Sequence, residues 1–272
     1  MNGRDPSFVA RYGPWALVAG GSEGIGAAFA RALAARGLDV VLVARRQEPL
    51  TALADSLAAA HGVQVRTLAV DLAAPDAADG LDVALADVEV GLVVLSAAEA
   101  RVAPFFDVPL ADKLRAIDLN CRAPLALAHR FGARMRARRR GGLVFLSSLA
   151  GLYGGPYVAT YAATKAFDTI LAESLAGELA ADGVDVVACV AGPTRTPTWA
   201  KNAAGVGPAP MDADAVAKET LAALGKRPRV IPGARHRLTT WLVGQLPRGF
   251  VVARVAAALR ASLSKNDLRG GT

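Results

Sequence analysis

Short apolar runs alternate along this chain with longer segments in which apolar residues recur at helical spacing. Most of the short runs contain no polar residue, as expected for strands that are covered on both faces of a sheet. In the longer segments, residues such as Leu171, Leu175 and Leu179 repeat with the period of one helix face. The alternation predicts an α/β fold built on a doubly wound parallel sheet.

The pattern predicts about seven strands and a set of longer helices around one core. The expected strands are 15–19, 40–44, 65–70, 92–95, 143–146, 186–190 and 230–231, and the expected helices are 25–36, 48–61, 76–87, 110–138, 161–181 and 212–225. We expect a single Rossmann-type domain over residues 1–272, with its core at about 13–233 and a short helical C-terminal extension at 234–272.

Two segments do not follow this alternation of predicted strands and helices. Residues 194–210 are rich in Gly, Pro and Thr and follow the carboxyl end of a strand, where ligands bind in such sheets, so they are interpreted as a lid. In the tail, residues 237–260 mix apolar and basic positions. Peripheral membrane contact of this tail is the less favoured interpretation, and packing onto the domain or a partner subunit is preferred, because Pro247 and Gly249 would interrupt one long surface helix.

Composition narrows the function classes. The chain has 272 residues, of which 53% are hydrophobic and 20% charged, so it can bury a sizeable core. The net charge is +7, and its densest basic cluster, residues 134–140, is interpreted as a solvated helix end. No aromatic residues alternate with these arginines, which argues against nucleic acid as a partner.

Cysteine usage and hydropathy point to a cytoplasmic protein without a metal site. Cys121 and Cys189 form no metal-ligand spacing and are expected to be buried core residues in a reducing compartment. Residues 141–164 carry no charge but contain several glycines and a proline, so they are interpreted as a strand, a loop and a helix start, not as a transmembrane segment. The first residues lack the apolar region of a signal peptide.

A glycine-rich loop follows the first predicted strand and opens the next helix. It reads Gly20-Gly21-Ser22-Glu23-Gly24-Ile25-Gly26. Glycine permits a tight turn and a close approach to a pyrophosphate, which the free N–H groups of the helix start then bind. The Gly-x-x-x-Gly-x-Gly spacing resembles the cofactor loop of the short-chain dehydrogenase/reductase family, and the resemblance extends over about residues 15–233.

The end of the second strand predicts the choice of cofactor. NAD-binding folds place a carboxylate there to accept hydrogen bonds from the ribose 2′-hydroxyl. This chain has Arg45 and Arg46 instead, which suit a 2′-phosphate, so NADP(H) is the expected cofactor and Arg45 the better candidate. Asp71 and Leu72 resemble the family's adenine contact, and Asp71 has an alternative role as a helix N-cap.

Tyr161 and Lys165 are one helical turn apart on the same helix face. A cation at that position favours the ionised phenol, and such a tyrosine can exchange a proton with a substrate oxygen. Ser148 precedes Tyr161 by 13 residues, the family's spacing, and would hydrogen-bond the substrate carbonyl, with Ser147 the weaker candidate. By resemblance, Asn120 completes the catalytic group by supporting a water chain to Lys165.

Further matches to the family concern the nicotinamide end of the cofactor. The segment Gly192-Pro193-Thr194-Arg195-Thr196 resembles a family motif in which the equivalents of Gly192, Thr194 and Thr196 contact the cofactor. After the fourth strand, Ser96 and Ala97 belong to the expected cofactor contacts, but Leu95-Ser96-Ala97-Ala98 replaces the usual Asn-Asn-Ala-Gly. Ser96 can supply one of the lost hydrogen bonds, whereas Ala98 would be strained in a conformation reserved for glycine.

Together these residues predict an NADP(H)-dependent carbonyl reductase that interconverts a ketone or aldehyde and an alcohol, with Tyr161 as proton donor and acceptor. The expected pocket walls are Leu149, Leu152, Tyr153, Tyr157 and Trp199, which suit a bulky uncharged ketone. The alternatives are a non-catalytic NADP(H)-binding regulator, and imine or enoyl reduction, epimerisation or dehydration on the same fold. The resemblance also implies a homodimer or homotetramer that pairs helices 110–138 and 161–181.

Overall fold

The computed structural model describes residues 5–202 and 209–267, and its centre is a seven-stranded parallel sheet. The strands are β1 (Trp15–Ala19), β2 (Asp39–Ala44), β3 (Val65–Ala69), β4 (Val90–Leu95), β5 (Gly141–Ser148), β6 (Val184–Ala191) and β7 (Arg229–Val230). Their order across the sheet is β3-β2-β1-β4-β5-β6-β7, and each neighbouring pair is parallel. The predicted doubly wound α/β fold is confirmed.

Helices cover both faces of the sheet. They are α1 (Pro6–Tyr12), α2 (Gly24–Ala34), α3 (Gln47–His61), α4 (Ala77–Ala84), α5 (Leu110–Ile117), α6 (Ala123–Arg138), α7 (Ala159–Leu179), α8 (Pro197–Asn202), α9 (Ala213–Ala223), α10 (Ala234–Gly244) and α11 (Arg248–Asp267). Phe29 of α2 is fully buried on one face and Phe131 of α6 on the other. This two-sided burial explains why the strands consist of continuous apolar runs.

The sheet order reverses direction between β1 and β4. The chain builds β1, β2 and β3 outward on one side and then returns to place β4 beside β1. The loops after these two strands therefore diverge and leave a crevice at their carboxyl ends, which is where ligands bind in open α/β sheets. The glycine-rich loop lies at this crevice.

The predicted helix 110–138 is interrupted in the structure. α5 and α6 are joined by a π-helical turn, Asp118–Arg122. Such turns insert an extra residue into a helix and change the direction in which the following side chains point. The helical spacing of apolar residues in the sequence does not reveal this turn, because that spacing continues on both sides of it.

The N-terminus differs from the sequence expectation, whereas the helical tail and its break near Pro247 agree with it. α1 precedes the expected core: Asp5 caps it, and the Tyr12 hydroxyl donates a 2.7 Å hydrogen bond to Asp185. The tail forms two helices, α10 and α11, with the break just before Arg248. In the part of the chain that the structure describes, no helix is long and apolar enough to cross a membrane.

Two expectations about single residues need correction. Cys121 is only half-buried, because it lies on the π-turn and not in the sheet, whereas Cys189 is buried as expected. Burial raises the pKa of the Cys121 thiol to about 11 and that of Cys189 to about 12, so both are protonated at neutral pH. The basic cluster at the end of α6 is more than a solvated helix end, because each of its five arginines forms an ion pair, for example Arg136 with Asp182.

Candidate active site

The glycine-rich loop is packed too tightly for side chains at one decisive position. A Cβ on Gly26 would lie 2.0 Å from the carbonyl oxygen of Gly20 and 2.7 Å from Ser96 Oγ. The start of α2 therefore lies directly against the loops after β1 and β4. Ser96 Oγ also donates a 2.9 Å hydrogen bond to the Ala19 carbonyl, as the sequence suggested.

A cleft of about 280 Å³ opens over this loop. It is lined by most of the residues predicted to bind the cofactor: Gly20, Ser22, Glu23, Gly24, Ile25, Gly26, Arg45, Arg46, Leu72, Ser96, Ala97, Tyr161 and Thr196. The first turn of α2 presents unpaired N–H groups there, and the helix dipole favours an anion at the same point. The cleft thus fits the pyrophosphate of a dinucleotide.

The two arginines after β2 differ in whether they form an ion pair with another residue. Arg46 pairs with Glu23 across the mouth of the cleft at 3.1 Å. Arg45 is exposed at the cleft and makes no hydrogen bond or ion pair to any residue of the described ranges. Its guanidinium is thus available for an anionic group of a ligand.

Asp71 is bound by a neighbour and does not line the cleft. Its Oδ1 accepts a hydrogen bond from Arg115 Nη2 at 3.1 Å and one from the Ala73 amide at 3.1 Å, and its Oδ2 lies 3.0 Å from Arg115 Nη1 in an ion pair. The hydrogen bond from Arg115 lowers the pKa of Asp71 below its ordinary value. Asp71 thus caps a turn, and the N-cap of α4 is Asp76.

Ser148, Tyr161 and Lys165 line a second cavity of about 420 Å³. Its remaining walls are predominantly apolar. Tyr161 lines both this cavity and the cleft over the glycine loop, as do Ile25 and Thr196. The phenol therefore lies where a bound nucleotide and a second molecule would meet.

Lys165 is buried beneath Tyr161 as half of an ion pair. Its Nζ donates to Asp168 Oδ2 at 2.9 Å and to the Leu146 carbonyl at 2.7 Å, and it lies 5.9 Å from the centre of the Tyr161 ring. Burial by itself would lower the pKa of Lys165, but the charge of Asp168, the nearby Tyr161 and the hydrogen bond to Asp168 together raise it above the ordinary value. The ammonium is therefore charged at neutral pH. Asp168 was not among the predicted site residues, although its position three residues after Lys165 offered a signal.

Asn120 ties two backbone segments together behind the cavity. From the π-turn, its Oδ1 accepts from the Glu99 amide at 2.8 Å and its Nδ2 donates to the Glu99 carbonyl at 2.9 Å. Nδ2 also donates to Thr164 Oγ1 at 3.0 Å, beside Lys165 in α7. Asn120 thus contacts the helix that carries Lys165 through the side chain of Thr164. The predicted water chain from Asn120 to Lys165 stays a prediction.

The two serines at the end of β5 have different surroundings. Ser147 is buried, and its Oγ bonds the Lys165 carbonyl and Thr169 Oγ1, both at 2.6 Å. Ser148 Oγ accepts a 3.2 Å hydrogen bond from the Ala150 amide, which leaves its own hydrogen free to donate into the cavity. The geometry favours Ser148 over Ser147 as the residue that meets a substrate.

The segment after β6 forms the border between the two cavities. Gly192 and Thr194 line the apolar cavity, and Thr194 Oγ1 donates to the Gly192 carbonyl at 2.9 Å. Thr196 Oγ1 accepts from the Trp199 amide at 3.1 Å and so starts α8. Part of the predicted lid, residues 203–208, lies outside the described residues.

The sequence profile of the short chain dehydrogenases matches residues 14–206, which is most of the chain. The chain belongs to the short chain dehydrogenase family. It is therefore an oxidoreductase.

Its relatives include enzymes named for steroid and acyl substrates. A 7beta-hydroxysteroid dehydrogenase of Clostridium sardiniense is 36% identical over 240 residues, covering 85% of this chain and 90% of the relative. A very-long-chain 3-oxoacyl-CoA reductase of Macaca fascicularis is 30% identical over 246 residues, covering 86% of this chain and 76% of the relative.

Solved structures of the family show the same fold. A 7beta-hydroxysteroid dehydrogenase structure has a TM-score of 0.86 at 28% identity and covers 94% of this chain and 99% of its own. A short-chain dehydrogenase from Sphingobium yanoikuyae, in complex with NADPH, has a TM-score of 0.74 at 29% identity, with coverages of 86% and 96%.

The substrate side of this dehydrogenase departs from expectation at two positions. Leu149, Tyr153 and Trp199 line the apolar cavity, but Tyr157 and Leu152 do not. Tyr157 adopts a positive φ of 66° and turns outward, where its hydroxyl accepts a 2.8 Å hydrogen bond from Arg260. The loop between β5 and α7 folds back on itself, so closeness in sequence to Tyr161 does not place a side chain in the cavity.

Two wall residues come from the tail and were missed. Val255 and Leu259 of α11 line the apolar cavity, one helical turn apart. Their i, i+4 spacing was visible, but the docking of α11 on this cavity depends on contacts distant in sequence.

The concern about Ala98 is removed by the structure. Among the described residues, Arg139 and Tyr157 are the non-glycine residues with positive φ, so Ala98 has an ordinary backbone. Ala98 lines both cavities, and its small side chain leaves room there.

Proposed function

We propose that this dehydrogenase uses NADP(H) to interconvert a bulky apolar ketone and its alcohol. The observation that carries the proposal is the position of Tyr161, which lines both the nucleotide cleft and the apolar cavity. A group that exchanges a proton with a substrate oxygen must stand at this junction.

The cofactor assignment rests on Arg45. Its exposed guanidinium suits a 2′-phosphate, because a guanidinium binds phosphate oxygens with two charge-assisted hydrogen bonds. The glycine loop and the start of α2 would hold the pyrophosphate, and Gly192, Thr194 and Thr196 the nicotinamide end. When bound, the cofactor supplies or accepts the hydride.

The protein residues handle the oxygen and its proton. Ser148 donates its hydroxyl hydrogen to the substrate carbonyl oxygen and stabilises the negative charge that develops there. Tyr161 gives its proton to that oxygen during reduction and takes it back during oxidation. Lys165, paired with Asp168, stabilises the ionised phenol of Tyr161. Asn120 binds Thr164 of α7, the helix that carries Tyr161 and Lys165.

The cavity indicates the substrate class. Its predominantly apolar walls and its volume of about 420 Å³ suit a rigid polycyclic ketone of steroid size. The relatives named for hydroxysteroids agree with this size. A 3-oxoacyl thioester is the second candidate, because other relatives are named for that substrate.

The test is NADPH oxidation with a panel of ketones. We expect a steroid ketone to be turned over faster than a small aliphatic ketone. Tyr161→Phe should bind NADPH normally and lower kcat at least about 100-fold, since a positioned general acid contributes about 10²–10⁴-fold. Binding is followed by NADPH fluorescence and turnover by loss of NADPH absorbance.

The same panel separates the alternatives. A 3-oxoacyl thioester reduced faster than any steroid ketone would favour the second candidate. Reduction of an imine or enoyl compound alone would indicate related chemistry, and NADPH binding without turnover of any compound would favour a non-catalytic regulator. Near-normal turnover by Tyr161→Phe of a confirmed substrate would refute the proton-donor role.

A further inference from the structure

The two C-terminal helices leave a row of large apolar side chains in solvent. On α10, Trp241 is 63% exposed, Leu238 is 58% exposed, and Leu242 is exposed beside them. Positions three and four residues after Leu238 fall on one side of a helix. Leu246, in the turn after α10, is also exposed. Phe250, at the start of α11, is also exposed. We call these five residues the tail face.

α10 and α11 already pack on the domain through residues outside the tail face. α10 already packs inward through His236, which is buried against Gly192. α11 packs inward through Val251 and Leu259, which are both buried. Each helix is thus docked through other residues, and the exposed row takes no part in the packing of the described residues. A contiguous apolar surface of this kind marks an interaction site.

The charge distribution indicates what that partner is. Residues 1–233 contain 24 basic and 23 acidic residues and are close to neutral, whereas residues 234–272 contain seven basic residues and one acidic residue. The positive net charge of the protein therefore resides in the tail. Arg235, Arg248 and Arg254 are exposed and form no ion pair within the described ranges.

We propose that the tail face docks on an anionic lipid surface. An interfacial helix combines an apolar side with flanking arginines, and tryptophan is enriched at the boundary between headgroups and acyl chains. Anionic lipids attract such basic segments within a Debye length. A second copy fits less well, because a two-fold contact would place this positive surface against itself.

Docking through this face would bring the substrate cavity to the membrane. Val255 and Leu259 of α11 form part of the cavity wall, and the Arg248 guanidinium lies 5.8 Å from the centre of the Tyr153 ring at the same cavity. An apolar ketone dissolved in lipid could then enter the cavity without crossing water. This consequence rests on the proposed function, whereas the docking itself does not.

The test is sedimentation of the full chain with vesicles, without any substrate. One set contains phosphatidylcholine alone and the other a mixture of phosphatidylcholine and phosphatidylglycerol. We expect at least about 10-fold tighter binding to the anionic vesicles and a marked loss at high salt. The exposed Trp241 should also shift its fluorescence to shorter wavelength on binding, and Trp241→Phe should abolish that shift.

Two variants and a matched control complete the design. Trp241→Gln combined with Leu242→Gln should lose vesicle binding, and Arg235→Gln combined with Arg254→Gln should lose the preference for anionic lipid. Val83→Gln changes a residue that is 77% exposed on α4 and should bind vesicles like the wild type. Unchanged thermal melting and NADPH binding check that each variant is folded.

Other results would overturn the inference. Equal binding to both vesicle types, or none to either, excludes an anionic lipid partner. If the Trp241→Gln/Leu242→Gln variant instead changes the molar mass in solution, the tail face is a contact between copies. Because no substrate is present, an inactive enzyme that still binds vesicles would contradict only the proposed function.

Discussion

Lys165 and Asp168 form a buried ion pair whose side chains are only 3% and 4% exposed. Their separation by three residues on α7 makes them neighbours, but a helical period does not tell which face is covered. In the structure, α7 packs against β5 and the π-turn, and the Leu146 carbonyl of β5 accepts a hydrogen bond from Lys165. Burial raises the pKa of Asp168, and the ammonium of Lys165 opposes that shift. Each charge is therefore tolerated only because the other is present.

Removal of one partner should destabilise the protein strongly. We expect Asp168→Ala to lower the free energy of unfolding by about 3–5 kcal/mol, the usual cost of an unpaired buried charge. Asp168→Asn should cost less, because the amide oxygen can still accept from Lys165. Urea denaturation measures both variants. If the Asp168→Ala variant unfolds at the wild-type urea concentration, the ion pair does not carry this energy.

Arg45 governs the proposed preference for NADP(H). Arg45→Asp should weaken NADPH binding about 10-fold or more and leave NADH binding nearly unchanged, since a hydrogen bond to a charged group contributes about 1.5–3 kcal/mol. Fluorescence titration with both cofactors provides the measurement. Arg227→Asp makes the same charge change on an exposed residue that does not line the cleft and is the control. Equal losses for both cofactors would show that Arg45 does not contact the 2′-phosphate.

At the scale of elements, the start of α2 and the π-turn between α5 and α6 place the key groups. The first was predictable, because strand, glycine loop and helix follow each other directly in sequence. The π-turn was not, since Asn120 within it is hydrogen-bonded to Glu99 and Thr164, which lie in other segments. Local sequence thus located Asn120 but not the geometry that orients it.

The close contact of α2 with the loop after β4 predicts that one added methyl group at Gly26 lowers both stability and NADPH affinity. In Gly26→Ala the new Cβ would clash with the Gly20 carbonyl and Ser96. We expect the free energy of unfolding to fall by about 1–3 kcal/mol, as for other overpacked sites. NADPH affinity should fall as well, because the loop must move. Gly80→Ala in α4 is the control, where an added Cβ meets no atom within 4 Å. Unchanged affinity in Gly26→Ala would contradict this account of the loop.

At the scale of the whole molecule, the described surface carries a second apolar region besides the tail face. Leu110 and Leu114 of α5 and Ile170 of α7 are exposed, although α5 and α7 are neighbouring helices of the domain. These are the helices that the family resemblance assigned to subunit contacts. Their apolar exposure supports the prediction of a homodimer or homotetramer.

A charge placed in this second region should separate the subunits. We expect the wild type to have the molar mass of a dimer or tetramer at micromolar concentration, and Ile170→Arg to shift it toward the monomer. Size-exclusion chromatography with light scattering provides the measurement. Val83→Arg is the control, because Val83 is exposed on α4. A wild type that is monomeric throughout would contradict the prediction.

The sequence by itself determined the α/β class, the glycine loop and the positions of Ser148, Tyr161 and Lys165. These features depend on periodicity and on spacing within one or two adjacent elements, which the chain order contains directly. The tertiary structure alone decided that Tyr157 turns outward, that Val255 and Leu259 line the cavity, and that the tail face is exposed. Those outcomes depend on which distant elements pack together, and burial is a property of the assembled fold and not of local sequence.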